Sequence, residues 1–262
     1  MSIIMGEVVT INSERIWSIN SYIQQKGQVH LRELMQLYPH VSAMTIRRDI
    51  DYLEKQGHVV RTRGGAKSIN HLTRVKEDAY SMRAAERTEA KMAIAQKALG
   101  ILDKTGAVFF DAGTTVMSLA CAIDAEGVFA VTSAPNIALE LTRAGASRTV
   151  LLGGNLNRDN LSVSGASALE QIKNINISTA FIATSGFSLG AGFTNGNFDE
   201  SELKRLVVSR ASKVVMLVDS GKLDINLPYT FARLADVDYL VCETAPHDDV
   251  IKAARDEGVT VL

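Results

Sequence analysis

The chain has 262 residues, 46% of them hydrophobic, and 28 Lys and Arg against 29 Asp and Glu leave a formal net charge of -1. That length and apolar share exclude a disordered protein and allow a small domain beside a medium one. The longest apolar runs, such as "VVMLV" at 214 to 218, are far too short to cross a bilayer, and the start shows no signal-peptide pattern, so a cytoplasmic protein without a membrane partner is expected.

The near-neutral total hides an asymmetry. Residues 1 to 70 hold nine basic and six acidic residues, net +3, which leaves 19 basic and 23 acidic residues, net -4, for the remainder. A small part that meets a polyanion and a larger part that does not would carry charge in this way. Cys121 and Cys242 lie in apolar surroundings without CxxC spacing, so both are expected to be buried free thiols.

In chain order, the first predicted element is a helix over "SERIWSINSYIQQKG", with Ser13 as its cap, Ile16, Ile19 and Ile23 at helical spacing and Gly27 as its stop. A second helix carries Leu31, Leu34 and Leu37 and stops at Pro39. The third is capped by Ser42 and ended by Gly57, with Ile46, Ile50 and Leu53 on one face. Its opposite face carries Met44, Arg47, Arg48, Asp51 and Lys55. "VVRTRGGAK" then reads as a two-stranded ribbon turning at Gly64 and Gly65, with Arg61 and Arg63 on one side.

Three helices and a ribbon make a winged helix-turn-helix, whose third helix enters the major groove while the wing follows phosphates. Ser42, Met44, Thr45, Arg47, Arg48, Arg61 and Arg63 are therefore the candidate contacts to double-stranded DNA. The competing reading of the arginine pair is a solvated helix face with an ordinary Arg47 to Asp51 i,i+4 pair.

Residues 68 to 90 are polar, lack a sustained apolar stripe and read as a linker that becomes helical. The division expected is thus a DNA-binding domain over 1 to 67, the linker over 68 to 90 and a second domain over 91 to 262. In that last part, strand candidates at 107 to 111, 128 to 132, 149 to 153, 179 to 183, 213 to 218 and 238 to 242, with "VTVL" at the end, alternate with helical segments. The fold class expected is α/β with a mostly parallel sheet covered by helices on both faces.

Polar and glycine residues fall where the first five of these strands end: "DAGTT", "TSAPN", "GGN", "TSG" and "DSGK". In open parallel sheets the carboxyl ends form the ligand crevice, so five loops are expected to line one mouth. In "DAGTT", Gly113 permits close approach, Thr114 and Thr115 offer hydroxyls, and a following helix would aim free N–H groups at an anion. The alternative is a tight strand-to-helix turn with threonine caps.

The candidate effector residues are Asp111, Gly113, Thr114, Thr115, Thr132, Ser133, Asn136, Gly153, Gly154, Gly186, Lys204 and Lys222. Neither GxxxxGK[ST] nor GxGxxG is present, and the five histidines are scattered, so neither cofactor nor metal is expected. Carboxylates at such a mouth, Asp111, Asp219 or Glu200, leave acid–base chemistry open as an alternative.

"VSAMTIRRDIDYLEKQGHVVRTRGGA", "FFDAGTT", "NIALEL", "LLGGNL" with Ser164 and Gly165, "SELKR" and "LVDSGK" resemble successive motifs of the DeoR/GlpR family of bacterial transcriptional regulators along nearly the whole chain. The resemblance implies a Rossmann-like sensor related to sugar-phosphate isomerases. It implies a phosphorylated sugar as effector, a homo-oligomer (dimer or tetramer) on paired half-sites, and repression of a carbohydrate-utilisation operon. It places Thr45, Arg47 and Arg48 on the recognition-helix motif, Asp111, Gly113, Thr114 and Thr115 on the phosphate loop, and Lys204 and Lys222 on two lysine motifs. Two rivals remain: an isomerase-like enzyme with an accessory DNA-binding domain, and a DNA-binding protein whose second domain serves only for assembly. The first is weakened because "ATSGF" lacks the acidic residues that the related isomerases carry there.

Overall fold

A computed structural model of the chain describes residues 15–24, 26–62, 64–68 and 80–262. Ser13 and Arg63, and residues 69–79 of the expected linker, lie outside the described residues. The chain divides into two compact units, Met1–Lys76 and Glu77–Leu262.

The first unit packs helix α1, over residues 15–24, with β1 (Gln28–His30), α2 (Leu31–Leu37), α3 (Ala43–Lys55), β2 (Val59–Thr62) and β3 (Gly65–Ser68). The predicted apolar stripes form its core: Ile19 and Ile23 of α1, Leu34 of α2, and Ile46, Ile50 and Leu53 of α3 are buried together. Leu37, expected to join them, is exposed at the end of its helix.

Ser42 caps α3 by accepting a hydrogen bond from the Thr45 N–H at 3.1 Å. Gly57 follows the helix with φ 75°, the left-handed stop that glycine supplies. A bidentate pair from Arg15 to the buried Asp49, at 2.8 and 3.1 Å, ties α1 to α3.

The ribbon has three strands rather than two, in the order β1-β3-β2 and antiparallel throughout. A strand as short as "QVH" carries no readable period, and β1 exists only because β3 pairs with it. Gly65 makes the pairing possible: a Cβ there would lie 2.0 Å from the Val29 carbonyl oxygen.

The second unit opens with α4 (Tyr80–Ala85) and α5 (Thr88–Leu99), followed by β4 (Ala107–Phe110), α6 (Thr114–Ala122), β5 (Phe129–Thr132), α7 (Pro135–Arg143) and β6 (Arg148–Leu151). A hairpin of β7 (Asn155–Asn157) and β8 (Ser162–Ser164) leads to α8 (Ala166–Lys173), β9 (Ile177–Ala183), β10 (Gly186–Ser188), β11 (Gly192–Asn195) and α9 (Phe198–Arg210). β12 (Ala211–Leu217), β13 (Tyr229–Ala232), β14 (Tyr239–Val241), α10 (Asp248–Asp256) and β15 (Thr260–Val261) complete it.

All seven strand candidates of this part are strands of one parallel sheet, in the order β15-β14-β12-β9-β4-β5-β6. Alternating residues divide between its faces. Val108, Phe110, Phe181 and Val215 pack with α5, α6 and α7, whereas Phe109, Ile182 and Met216 pack with α8, α9 and α10.

From β4 the chain proceeds through β5 to β6 on one side and then returns to place β9 on the other, so strand order reverses between β4 and β9. A crevice opens at the carboxyl ends of strands at such a point. The β7–β8 hairpin and the small antiparallel sheet β10-β11-β13 were not legible beforehand, because strands of three or four residues interrupted by turns show no sustained alternation.

The one tryptophan of the chain, Trp17, lies in the first unit, so its fluorescence follows that unit. Gly65→Ala is expected to lower the stability read from Trp17 fluorescence in a urea titration by about 1–3 kcal/mol, the usual cost of overpacking. An unchanged Trp17 transition would contradict the close β1–β3 approach.

Candidate functional site

Each unit presents one candidate site. In the first, α3 turns Arg47 and Arg48 to solvent, and neither side chain has a hydrogen-bond or ion-pair partner among the described residues. The Arg47 to Asp51 pair does not form; Asp51 is taken instead by Arg61, at 2.5 Å. The Arg61 N–H also donates to Glu54 at 2.8 Å, which folds β2 against the exposed side of α3.

Met44 is exposed and Thr45 half-buried, with the Thr45 and Ser42 hydroxyls 2.9 Å apart, so the Ser42 side chain is already engaged as a cap. A cleft beside Arg47 is lined by His30, Arg32, Glu33, Gln36 and Gly64. Arg32 and Gln36 are additions that sequence reading missed. The available signal was their placement on the solvent side of α2, opposite Leu34.

In the second unit a small, narrow pocket lies at the reversal point between β4 and β9. Three of the five expected loops line it. Ala112 to Thr115 follow β4, Ala183 to Ser185 end β9 and follow it, and Asp219 and Lys222 follow β12.

Thr132, Ser133, Asn136, Gly153, Gly154 and Gly186 are not part of its lining. Thr132 accepts the Ala134 N–H at 3.1 Å, Asn136 donates to the Tyr80 hydroxyl at 2.8 Å, and the Gly153 N–H donates to Gln171 at 3.2 Å. The sheet order explains most of the difference: β5 and β6 lie outward from the crevice and carry their loops with them, while Gly186 starts β10 just past the lining part of the β9 loop.

Gly113 precedes α6 with φ 137°, a conformation that strains any other residue. The first N–H groups of α6 have no intrahelical acceptor, and the Thr114 and Thr115 hydroxyls have no hydrogen-bond partner among the described residues.

Lys204 from α9 is 3% exposed and donates to Asp111 at 2.6 Å and to the Ala183 carbonyl at 2.7 Å, with Glu200 3.5 Å away. It thus forms the pocket floor. Asp111 also accepts the Ala183 N–H at 3.1 Å, and burial pushes its carboxyl above the ordinary carboxylate value against the pull of Lys204. Lys222 is different: half-buried, it has no side-chain partner among the described residues.

Sequence reading missed the wall from the start of the unit, where Arg83, Glu86, Arg87 and Lys91 stand within the stretch taken as linker or just beyond it. Lys91 is buried and donates to the Arg83 and Glu86 carbonyls; burial pulls its ammonium below the ordinary lysine value, with Asp219 opposing. The lining carries five basic side chains (Arg83, Arg87, Lys91, Lys204, Lys222) against three acidic ones (Glu86, Glu200, Asp219). Such a surplus, beside free N–H groups, suits an anion.

Of the cysteines, Cys242 is buried and its thiol is pushed up to about 12, burial being the main cause; Cys121 is exposed, contrary to expectation. Among the described residues, no group of three His, Cys, Asp or Glu side chains could hold a metal ion, and no helix is long and apolar enough to cross a membrane.

Comparison with known proteins gives two family matches: a DeoR-like helix-turn-helix domain over residues 15–71 and the DeoR C-terminal sensor domain over residues 86–244. The HTH-type transcriptional regulator GlpR of Haloferax volcanii is 33% identical, over 84% of this chain and 86% of its own length. A putative aga operon transcriptional repressor of Escherichia coli O157:H7 is 29% identical over 97% of this chain and 94% of its own. The repressor GlcR of Bacillus subtilis is 29% identical over 95% of each.

Among solved structures, ribose 5-phosphate isomerase A of Methanocaldococcus jannaschii matches at TM-score 0.40 and 14% identity, covering 53% of this chain and 55% of its own. The sorbitol operon regulator SorC of Klebsiella pneumoniae matches at 0.37 and 10%, covering 82% and 90%.

Lys204→Met is expected to lower stability by about 3–5 kcal/mol, because it strands the Asp111 carboxylate in the interior. Adding Asp111→Asn should recover most of that loss. A carboxyl with a folded pKa above its unfolded value binds protons more readily in the folded state. The loss should therefore fade below about pH 4 and grow as pH rises through the folded value, as urea titrations across pH would show.

Proposed function

The chain belongs to the DeoR family of DNA-binding transcriptional regulators, and from that premise we propose that it represses a carbohydrate-utilisation operon under the control of a phosphorylated sugar. The observation that carries the reading is the pocket between β4 and β9. There, the open N-terminus of α6, the Thr114 and Thr115 hydroxyls and Lys222, unpartnered among the described residues, meet above a floor already neutralised by Asp111 and Lys204. A phosphate group matches that set: several N–H and O–H donors at short range and one point charge that costs no existing ion pair.

The sugar would extend from the phosphate toward the pocket mouth. Asp111 is held by Lys204 and the Ala183 N–H, and Glu200 by Lys204 and Asn160. Both carboxylates therefore serve structure rather than proton abstraction in this reading.

On the DNA side, Arg47, Arg48, Met44 and Thr45 would face the major groove, with Arg61 and Arg63 along the backbone. The Arg61 to Asp51 pair is roughly half exposed, and such pairs contribute about 0–1 kcal/mol, so a phosphate competes with Asp51 easily. Two copies on paired half-sites would complete the operator complex in the cytoplasm.

At 100 times its dissociation constant a sugar phosphate should stabilise the protein by about 2.7 kcal/mol, a melting-temperature rise of several degrees. The corresponding free sugar should not do so, and at the same concentration Lys222→Ala and Thr114→Ala should each lose most of the shift. No shift across a broad panel of sugar phosphates would leave the second unit as an assembly domain and sink the effector reading.

On operator DNA, Arg48→Ala should cost about 1–3 kcal/mol with a changed sequence preference. Arg32→Ala should weaken all sequences alike and reduce the salt slope by about one. Titrations on operator and random duplexes at several salt concentrations separate the two.

A further inference from the structure

Arg87 occupies the turn between α4 and α5 with φ 49° and ψ 40°, a left-handed conformation that residues other than glycine seldom adopt. It is held there from one side. Its Nε lies 3.0 Å from Asp219 and its Nη2 lies 2.7 Å from Glu243, and Nη2 also donates to the Ser220 hydroxyl. Both Glu243 oxygens accept the Ser220 N–H at 3.0 Å, and Asp219 accepts the Gly221 N–H at 3.0 Å. Two carboxylates and the turn carrying Lys222 therefore form one network around the guanidinium. Burial alone would raise Glu243; the bonds from Ser220 and Arg87 hold it below the ordinary carboxylate value instead.

The turn that carries Arg87 is not free to move by itself. Buried Lys91 bonds to the carbonyls of Arg83 and Glu86, so the end of α4, the turn and the start of α5 are joined. α4 is the first described element of its unit, and the chain leads back from it to the DNA-binding unit. An anion seated by Lys222 enters a field in which Asp219 repels it and Arg87 attracts it, and Arg87 cannot serve the anion and both carboxylates at full strength.

We infer that Arg87 is the residue through which an anion in this pocket acts on DNA binding: the anion draws the guanidinium from Asp219 and Glu243, and the left-handed turn and α4 follow it. The inference rests on the reading of the pocket as an anion site. A ligand shifts such an equilibrium only by its differential affinity for the two arrangements. The Arg87 contact, present in one arrangement and absent in the other, supplies that difference.

The test uses the full chain, an operator duplex, and inorganic phosphate, ribose 5-phosphate, glucose 6-phosphate and fructose 6-phosphate as separate probes, with binding read by thermal shift and operator affinity by fluorescence anisotropy. In the wild type, a bound probe should change operator affinity roughly 5- to 150-fold. Lys222→Ala should need more probe but reach the same change at saturation, whereas Arg87→Ala should show no change at saturation.

Glu243→Gln should shift the probe-free operator affinity toward the probe-bound value, and this arm needs no ligand at all. Arg87→Lys, which keeps the charge and loses the paired grip on Asp219 and Glu243, should give a reduced change and guards against a folding defect in Arg87→Ala. Wild-type coupling in Arg87→Ala, or a wild-type probe-free affinity in Glu243→Gln, would overturn the role of Arg87 while the anion site stands. No probe binding to the wild type would overturn the anion site and this inference with it.

Discussion

The ion pair between Asp111 and Lys204 holds the second unit together at its most vulnerable place, the crevice where strand order reverses. Strands β4 and β9 pair along their length, but beyond their carboxyl ends the two loops diverge. Lys204 reaches from α9 to bond the Asp111 side chain at the end of one strand and the Ala183 carbonyl at the end of the other. Both charges are almost fully buried, so the desolvation cost is large and geometry has to repay it. Glu200 beside Lys204, and Asn160 donating to Glu200, extend the network to the β7–β8 hairpin.

This arrangement decides what remains available to a ligand. Lys204, committed to Asp111, has little charge left for a further anion, and a carboxylate committed to that cation is a poor base. Among the described residues, the groups left over are the first N–H groups of α6, two threonine hydroxyls and Lys222. Arg87 stands between the two classes: it is engaged, yet about half exposed and held through a strained backbone.

The DNA-binding unit separates its charges in the same way. Arg15 is spent on Asp49 in the interior, where the pair fixes α3 against α1, and Arg61 rests on Asp51. Arg47 and Arg48 keep their full donor capacity at the start of α3, where a rigid helix supports them. A packed helix that carries guanidinium groups loses little backbone freedom when those groups engage a partner.

Period and punctuation carried much of this architecture in the amino-acid order alone. Ile46, Ile50 and Leu53 at helical spacing, the Ser42 cap and the Gly57 stop defined α3 with its arginines outward, and apolar runs marked every strand of the parallel sheet, five of them closed by polar or glycine-bearing loops. "DAGTT" could be read as a loop suited to an anion because Gly113 and the start of α6 are neighbours along the chain. These are local features, set by backbone geometry over a few residues. Tertiary structure alone decided that three loops meet and two turn away, that Lys204 is consumed by Asp111 while Lys222 is spared, and that Arg87, from a stretch that looked like linker, reaches Glu243 156 positions further on. The reason is physical: sheet order and the depth at which a side chain is buried depend on contacts between distant segments, and no repeat within either segment encodes them.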